Sequence, residues 1–312
     1  MLHHFLANLL TVWRHSSYRV EDKQMIKKAF IPVAGLGTRL LSATKEQPKE
    51  MLPVFAAGKD GVLCVKPLVQ QIFEELFDLG IRQFYFIVGK GKRAIEDHFT
   101  PDREYLRRLS GQGRDSQRLQ LEGFYSRVLT STIVWVNQPE PKGFGDAVIQ
   151  ARQLVGEDPF LVHAGDTLIK SKAEAVLTRL SKTFAEKQAD ATLTLQNVED
   201  PRQYGVAEGF ETADGIIHVR KVVEKPNRPA TNVAIMPIYL FNNTIFEAIE
   251  STKPDKHGEI QLTDAIQVLI TGGHNVNAIK LGPGDIRLDI GTPESYWEAL
   301  KLSHRLALSK QH

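Results

Sequence analysis

Two neighbouring stretches indicate the fold: Ala34-Gly35-Leu36-Gly37-Thr38-Arg39-Leu40 and, after four further residues, Lys45-Glu46-Gln47-Pro48-Lys49-Glu50-Met51-Leu52-Pro53. They follow an apolar run over 29–33, which predicts a short buried strand. The glycines would let backbone N–H groups approach an anion, and the arginine and lysines would balance its charge. The sequence therefore predicts a polyphosphate-binding loop at the carboxyl end of a strand.

The same stretch can be compared with the sequence patterns of two other kinds of phosphate-binding loop. A Walker A loop needs Gly-Lys-Ser/Thr after four spacer residues, but Gly37 is followed by Thr38 and Arg39, which excludes it. A dinucleotide fingerprint needs a third glycine where Leu40 stands, which disfavours a hydride-transferring domain. Gly35 and Gly37 alone would usually form only a tight turn. The flanking basic residues favour the phosphate loop.

The composition limits the classes of protein that remain. The chain of 312 residues has 39 basic and 37 acidic side chains, a formal charge of +2. There is no block of basic residues, which argues against a nucleic-acid-binding surface. The single cysteine, Cys64, excludes an internal disulfide and a multi-cysteine zinc site, and a cytoplasmic location is expected. No apolar run approaches the ~20 residues that a membrane span needs.

Residues 1–24 form an N-terminal extension that differs from the rest of the chain. Apolar residues precede a basic end, with neither a basic start nor a small-residue cleavage site, so a secretory signal is not predicted. One interpretation is a short amphipathic helix that packs on the body or on a membrane surface. The other is that Met25 is the natural start.

Strand and helix patterns alternate in the first half of the chain. This alternation predicts an α/β fold with a Rossmann-like, mainly parallel mixed sheet flanked by helices on both faces. The patterns indicate helices over 68–79 and 147–155 and strands over 84–88, 132–136 and 159–162.

Two segments depart from this alternation. Residues 101–131 are polar and charged, which predicts an inserted helical or mobile excursion rather than sheet. The later strand patterns, with turns between them, predict a smaller β-rich extension that adds a wall to the pocket. Those strand patterns cover 191–195, 215–223 and 233–240.

The stretch 31–53 resembles the signature of the sugar-1-phosphate nucleotidylyltransferases, and within that family it is most similar to the bacterial-type UTP–glucose-1-phosphate uridylyltransferases. Further matching segments extend the resemblance over nearly all of the chain after residue 25. These segments are 66–70, 138–147, 204–206, 223–226, 258–266 and 288–293. The resemblance implies a nucleotide-diphospho-sugar transferase fold. It also implies a catalytic domain over 25–312, with a nucleotide half over 25–170 and a sugar-binding half over 171–312.

The resemblance also implies roles for individual residues. Arg39 and Lys49 match catalytic positions. The amide of Gln138 can donate and accept together, which suits the edge of a pyrimidine. Nucleotide-binding positions are Ala34, Gly35, Gly37, Thr38, Gln138 and Gly143, and sugar-phosphate-binding positions are Gly205, Glu224 and Lys225. Without the resemblance, the adjacent Glu224 and Lys225 would be interpreted as a surface charge pair.

Two aspartates are candidate ligands for Mg²⁺. Asp166 follows an apolar strand and Asp289 lies in a second apolar segment. Carboxyl ends of strands lie where open α/β folds bind ligands, and Mg²⁺ takes one or two carboxylates with phosphate oxygens and waters. Either residue alone would more often be a turn aspartate, but both match the family's magnesium ligands. His163 is expected to be structural, since no partner lies at metal-ligand spacing.

The residue inventory predicts a reaction without a protein nucleophile. Cys64 has no evident histidine partner, and no Gly-x-Ser-x-Gly elbow occurs. We expect an oxygen of the sugar-1-phosphate to attack the α-phosphorus of the nucleotide in line, so that pyrophosphate leaves. Mg²⁺ would lie between the reacting phosphates, Arg39 and Lys49 would bind the triphosphate, and Lys225 would steer the nucleophile.

Several alternatives remain open at this point. The segments 162–167 and 289–293 equally resemble thymidylyl- and guanylyltransferases, so dTTP could replace UTP and another sugar-1-phosphate could replace glucose-1-phosphate. A non-catalytic sensor or regulatory subunit would be expected to lose its cations or metal carboxylates, which are all present. Segment 55–65 is also longer than the family's usual turn. The family further implies a homo-oligomer, a dimer or a tetramer.

Overall fold

The computed structural model describes residues 26–58, 61–110, 113–171 and 174–309. The predicted extension over 1–24 and the alternative start at Met25 lie outside these residues. Within the described ranges, every helix is too short or too polar to cross a membrane.

Thirteen strands and eleven α-helices occur in the described ranges. The strands are β1 (Lys28–Pro32), β2 (Pro53–Ala57), β3 (Leu63–Pro67), β4 (Gln83–Val88), β5 (Thr132–Asn137), β6 (Phe160–His163), β7 (Thr167–Ser171), β8 (Ala191–Asn197), β9 (Gly205–Glu211), β10 (Ile217–Glu224), β11 (Val233–Phe241), β12 (Val276–Lys280) and β13 (Asp285–Asp289). The helices are α1 (Leu41–Thr44), α2 (Leu68–Asp78), α3 (Arg93–His98), α4 (Arg103–Leu109), α5 (Asp115–Leu129), α6 (Phe144–Ile149), α7 (Arg152–Val155), α8 (Val176–Glu186), α9 (Thr244–Ser251), α10 (Leu262–Thr271) and α11 (Pro293–Leu308).

A nine-stranded sheet runs through both halves of the chain in the order β5-β4-β1-β6-β11-β8-β12-β10-β9. The first four strands pair in parallel, as do β8 and β12. The remaining neighbours are antiparallel, including β11 beside β6 and the β9–β10 ribbon at the far edge. The predicted mixed sheet and the β-rich extension are confirmed. Across the described sheet, four strand pairings are parallel and five are antiparallel.

The core lies on both faces of this sheet because successive strand residues point to opposite sides. On β1, Ile31 packs into one apolar cluster and Phe30 into the other; on β4, Phe84 and Tyr85 divide in the same way. A fully buried phenylalanine or isoleucine stabilises the fold by about 1.5–3 kcal/mol. Helices cover both clusters, as the alternating pattern predicted.

One predicted helix is divided in two in the structure, and the secondary structure of two further segments is now defined. The predicted helix over 147–155 is divided into α6 and α7, because the Ala151 N–H donates to the carbonyl oxygen of Val148, three residues back, rather than four. The insertion over 101–131 contains α4 and α5. The long segment over 55–65 forms most of the β2–β3 hairpin, which packs on α11 through a hydrogen bond from Phe55 N to Ser303 Oγ (3.1 Å).

Candidate active site

The phosphate-type loop leaves β1 at the edge where the parallel strands end. Gly37 has a φ of 65°, a left-handed conformation that favours glycine, and it begins a short 3₁₀ turn over Thr38–Leu40. The Thr44 hydroxyl lies 2.8 Å from the carbonyl oxygen of Gly37 and 2.9 Å from that of Leu40, so it can donate to either and closes the turn. Arg39 is exposed and makes no ion pair within the described residues, so its charge is available to a ligand.

A buried ion pair beneath the loop was missed by sequence reasoning. Glu50 is 2% exposed and Lys92 is 7% exposed. The Nζ of Lys92 lies 3.1 Å from Glu50 Oε2 and 2.6 Å from the carbonyl oxygen of Gly35. Burial raises the pKa of the Glu50 carboxyl, and the neighbouring lysines offset this only in part. The pair ties the loop to the segment after β4, and the glycine-rich run at 89–92 was its only sequence signal.

The two candidate metal carboxylates meet at one hydroxyl group. Strand β13 pairs antiparallel with β7, which places Asp289 opposite Thr167. The Thr167 hydroxyl lies 3.3 Å from Asp166 Oδ1 and 3.5 Å from Asp289 Oδ2. Asp166 Oδ2 accepts from Lys49 Nζ (2.5 Å), and Asp289 Oδ1 accepts from Gly291 N (2.8 Å).

Lys49 and Asp166 stabilise each other's charged forms. Burial lowers the pKa of Lys49, but the surrounding carboxylates, above all that of Asp166, raise it above its ordinary value. Burial likewise raises the pKa of Asp166, and the ammonium group of Lys49 reverses this shift, so that the carboxyl titrates below its usual range. His163 is 2% exposed and contacts the backbone carbonyl of Ala164, consistent with the structural role expected for it.

The candidate base-binding residues line the same cavity as these carboxylates. Gln138 is 4% exposed and donates from Nε2 to Asp146 Oδ2 at 2.7 Å. Gly143 has a φ of 102°, and a side chain there would place its Cβ 2.6 Å from the carbonyl oxygen of Ile260. The structure thus gives Gly143 a packing requirement in addition to its predicted nucleotide-binding role.

The candidate sugar-binding residues come from β9, β10 and the turns beside them. A side chain at Gly205 would meet Thr263 Oγ1 at 2.6 Å and Glu224 Oε2 at 3.1 Å. Lys225 Nζ lies 3.1 Å from Glu224 Oε1, and Lys225 has a left-handed φ of 40°, which is unusual for a residue with a side chain.

Arg287 is a further cation that sequence reasoning missed. It lies on β13, two residues before Asp289, and donates to Tyr204 Oη (3.1 Å) and to Met236 Sδ (3.0 Å). Within the described residues it forms no ion pair with a carboxylate. Alternation along a recognised strand could have indicated that it shares a face with Asp289.

One cavity of about 560 Å³ brings all thirteen predicted site residues together. Its lining includes Ala34, Gly35, Gly37, Thr38, Arg39, Lys49, Gln138, Gly143, Asp166, Gly205, Glu224, Lys225 and Asp289. Thr167, Tyr239, Glu259, Thr263 and Arg287 also line it. The arrangement places cations, paired carboxylates and a buried amide around a space of the size that small-molecule sites have.

Comparison with known proteins agrees with this geometry. The family model for nucleotidyl transferases matches residues 28–305. A UTP–glucose-1-phosphate uridylyltransferase of Pseudomonas aeruginosa is 36% identical over 279 residues, which cover 88% of this chain and 95% of that protein. The crystal structure of an apo UDP-glucose pyrophosphorylase superposes with a TM-score of 0.80 at 30% identity, covering 90% of this chain and 99% of the other. A UDP-glucose pyrophosphorylase complexed with UDP-glucose gives 0.77 at 30% identity, covering 90% and 100%. The chain therefore belongs to the nucleotidyl transferase family.

Proposed function

We propose that this protein transfers a uridylyl group from UTP to glucose-1-phosphate and releases UDP-glucose and pyrophosphate. The observation that carries the proposal is the single cavity in which the loop cations, the Asp166–Asp289 pair and Gln138 face one another. The similarity to uridylyltransferases and to a pyrophosphorylase complexed with UDP-glucose supports this choice of substrates. The reaction needs no protein nucleophile, since the sugar phosphate carries an ionised oxygen.

In this proposal, different cations of the cavity contact the two anionic substrates. Arg39 has no ion-pair partner in the described chain and lies on the loop, which suits contact with the triphosphate and the leaving pyrophosphate. Lys225 lies at the sugar side, where it can hold the attacking phosphate. Lys49 lines the same cavity, with its Nζ 2.5 Å from Asp166 Oδ2. Fixed charges at these positions would stabilise the transition state without reorganisation.

The Asp166 and Asp289 carboxylates fit a magnesium ion. Each has one oxygen held by the protein, by Lys49 Nζ or by Gly291 N, and the other oxygens both face the Thr167 hydroxyl. No group of three or more His, Cys, Asp or Glu side chains that could hold a metal occurs in the described chain. Two carboxylates with substrate oxygens and waters match the coordination that Mg²⁺ prefers. When bound, Mg²⁺ would neutralise charge on the reacting phosphates.

Pyrophosphate release tests the function directly. Purified protein would be assayed with Mg²⁺ and each of UTP, dTTP, CTP, GTP and ATP, crossed against glucose-1-phosphate, N-acetylglucosamine-1-phosphate and mannose-1-phosphate. We expect the highest kcat/KM for UTP with glucose-1-phosphate. A preference for dTTP or another sugar would refute the substrate assignment within the same reaction class. Nucleotide binding without turnover by any pair would refute the enzymatic reading in favour of a sensor.

The proposal also covers the cellular location and the self-assembly of the protein. The family resemblance implies a cytoplasmic enzyme that assembles from copies of itself. Light scattering at several protein concentrations would measure the number of subunits. A monomer at all concentrations would refute the assembly without affecting the proposed reaction.

A further inference from the structure

The orientation of the Gln138 amide is set by its neighbours. Its Nε2 donates to Asp146 Oδ2 at 2.7 Å and to the carbonyl oxygen of Gly143 at 3.3 Å. Both partners are acceptors only, so they are compatible with the NH₂ group and not with the carbonyl oxygen. Within the described residues, Gln138 Oε1 has no hydrogen-bond partner, although Gln138 lines the cavity.

We propose that Asp146 is a positioning residue that selects the nucleobase by fixing this amide. With Nε2 committed to Asp146, Gln138 presents only an acceptor to the base. Uracil carries an N3–H that can donate to it, whereas cytosine carries an N3 lone pair that the Oε1 atom repels. An unrestrained amide could rotate by half a turn and present its NH₂ group to cytosine instead. The inference rests on the proposed function, because it assumes that the base lies against Gln138.

The contacts of Asp146 favour this role over a purely structural one. Its shortest hydrogen bond is the one to Gln138, and its other oxygen has only a long contact with Gln150 Nε2 at 3.4 Å. It makes no ion pair with a lysine or arginine in the described residues. It lies in the first turn of α6, where the helix dipole favours a carboxylate. A charged acceptor makes a bond about twice as strong as a neutral one, so the amide is firmly oriented.

The test compares Asp146→Asn with the wild type. Asparagine keeps the size but can donate as well as accept, so it permits both orientations of Gln138. We expect the ratio of kcat/KM for UTP over CTP to fall roughly tenfold, the scale of losing one charge-assisted bond. The ratio for UTP over dTTP should stay unchanged, because thymine presents the same N3–H. Asp115→Asn is the matched control: Asp115 is also a first-turn aspartate, but on the exposed start of α5.

Each outcome decides the inference. A selective fall in the UTP/CTP ratio supports it. An unchanged ratio, or a parallel loss with all three nucleotides, overturns it. If Asp146→Asn does not fold, Asp146→Ser gives the same comparison with a shorter side chain. If the wild type folds but releases no pyrophosphate, the proposed function fails. Calorimetric binding of UTP and CTP to the wild type and the variant then measures the same selectivity independently.

Discussion

The substitution Lys92→Met tests whether the buried ion pair beneath the phosphate loop holds the site together. The side chains of Lys92 and Glu50 are 8% and 2% exposed, and their charged atoms lie 3.1 Å apart. Methionine keeps the length of the lysine but leaves the Glu50 carboxylate buried without its main partner. Breaking such a pair costs about 3–5 kcal/mol. Because Lys49 also lies near Glu50, we expect a loss of about 3 kcal/mol in the free energy of unfolding, measured by urea denaturation.

The pH dependence of this loss identifies its cause. Burial already raises the pKa of Glu50 from its ordinary value of 4.5, and removal of Lys92 should raise it further. A carboxyl group with a raised pKa in the folded state binds its proton more tightly there than in the unfolded chain. Its destabilising effect on the fold therefore grows as the pH rises above its pKa in the unfolded chain. The deficit of Lys92→Met should therefore be larger at pH 7.5 than at pH 5. An equal deficit at both pH values would refute the electrostatic explanation.

Activity gives a second readout of the same change. The Gly35 carbonyl loses its 2.6 Å bond to Lys92, so the loop can shift. A misplacement of about 1 Å can reduce turnover by roughly 10²-fold. Lys66→Met is the matched control: Lys66 pairs with Glu74 at 2.7 Å outside the candidate active site, and Glu74 retains a bond from Gln70. Near-normal turnover in Lys92→Met, or an equal loss in Lys66→Met, would refute the role of the pair in the site.

Three further substitutions test separate parts of the site. Asp166→Ala should keep the fold by circular dichroism but reduce pyrophosphate release by roughly 10²–10³-fold, the scale of losing one fixed charge partner; near-normal turnover would exclude Asp166 from the reaction. Lys225→Gly should abolish most turnover yet slightly raise the melting temperature. The left-handed backbone at position 225 costs a residue with a side chain about 1–2 kcal/mol, and glycine removes this strain. The greater conformational entropy of glycine in the unfolded chain offsets about half of that gain. A lower melting temperature would contradict this reasoning. Gly143→Ala should lower the free energy of unfolding by about 1–3 kcal/mol through its clash with the Ile260 carbonyl. Gly282 has open space around it, so Gly282→Ala should leave the free energy of unfolding unchanged in the same urea titration.

The sequence allowed the parallel part of the sheet to be predicted because local patterns determine it. Apolar runs gave β1, β4 and β6, and parallel strands necessarily end at the same edge. The loop after β1 and Asp166 after β6 could therefore be placed together before any coordinates. Family resemblance then supplied the residues of the second half, which local patterns could not bring to the same cavity.

The contacts that position the site could not be predicted in the same way. The β7–β13 register, which places Asp289 opposite Thr167, joins residues 122 positions apart. No local periodicity specifies such a pairing. The Lys92–Glu50 pair joins residues 42 positions apart, and lysine is usually exposed, so burial of its charge could not be expected from its type. These contacts orient the loop and the carboxylates. Sequence motifs identify the types of residue in the site but not this arrangement.

The segment over 259–263 connects the proposed base-binding and sugar-binding sides of the cavity. Its Ile260 N–H donates to the Lys142 carbonyl (2.7 Å), and its carbonyl accepts from Gly145 N (2.9 Å), so it pairs with the loop that follows Gln138. Three residues further on, Thr263 contacts the space beside Gly205 on the sugar side. The same segment therefore contacts the loop after Gln138 and the wall beside Gly205. If the proposed base and sugar sides are right, we expect base and sugar selectivity to be coupled in this chain, because one stretch of backbone contacts both sides.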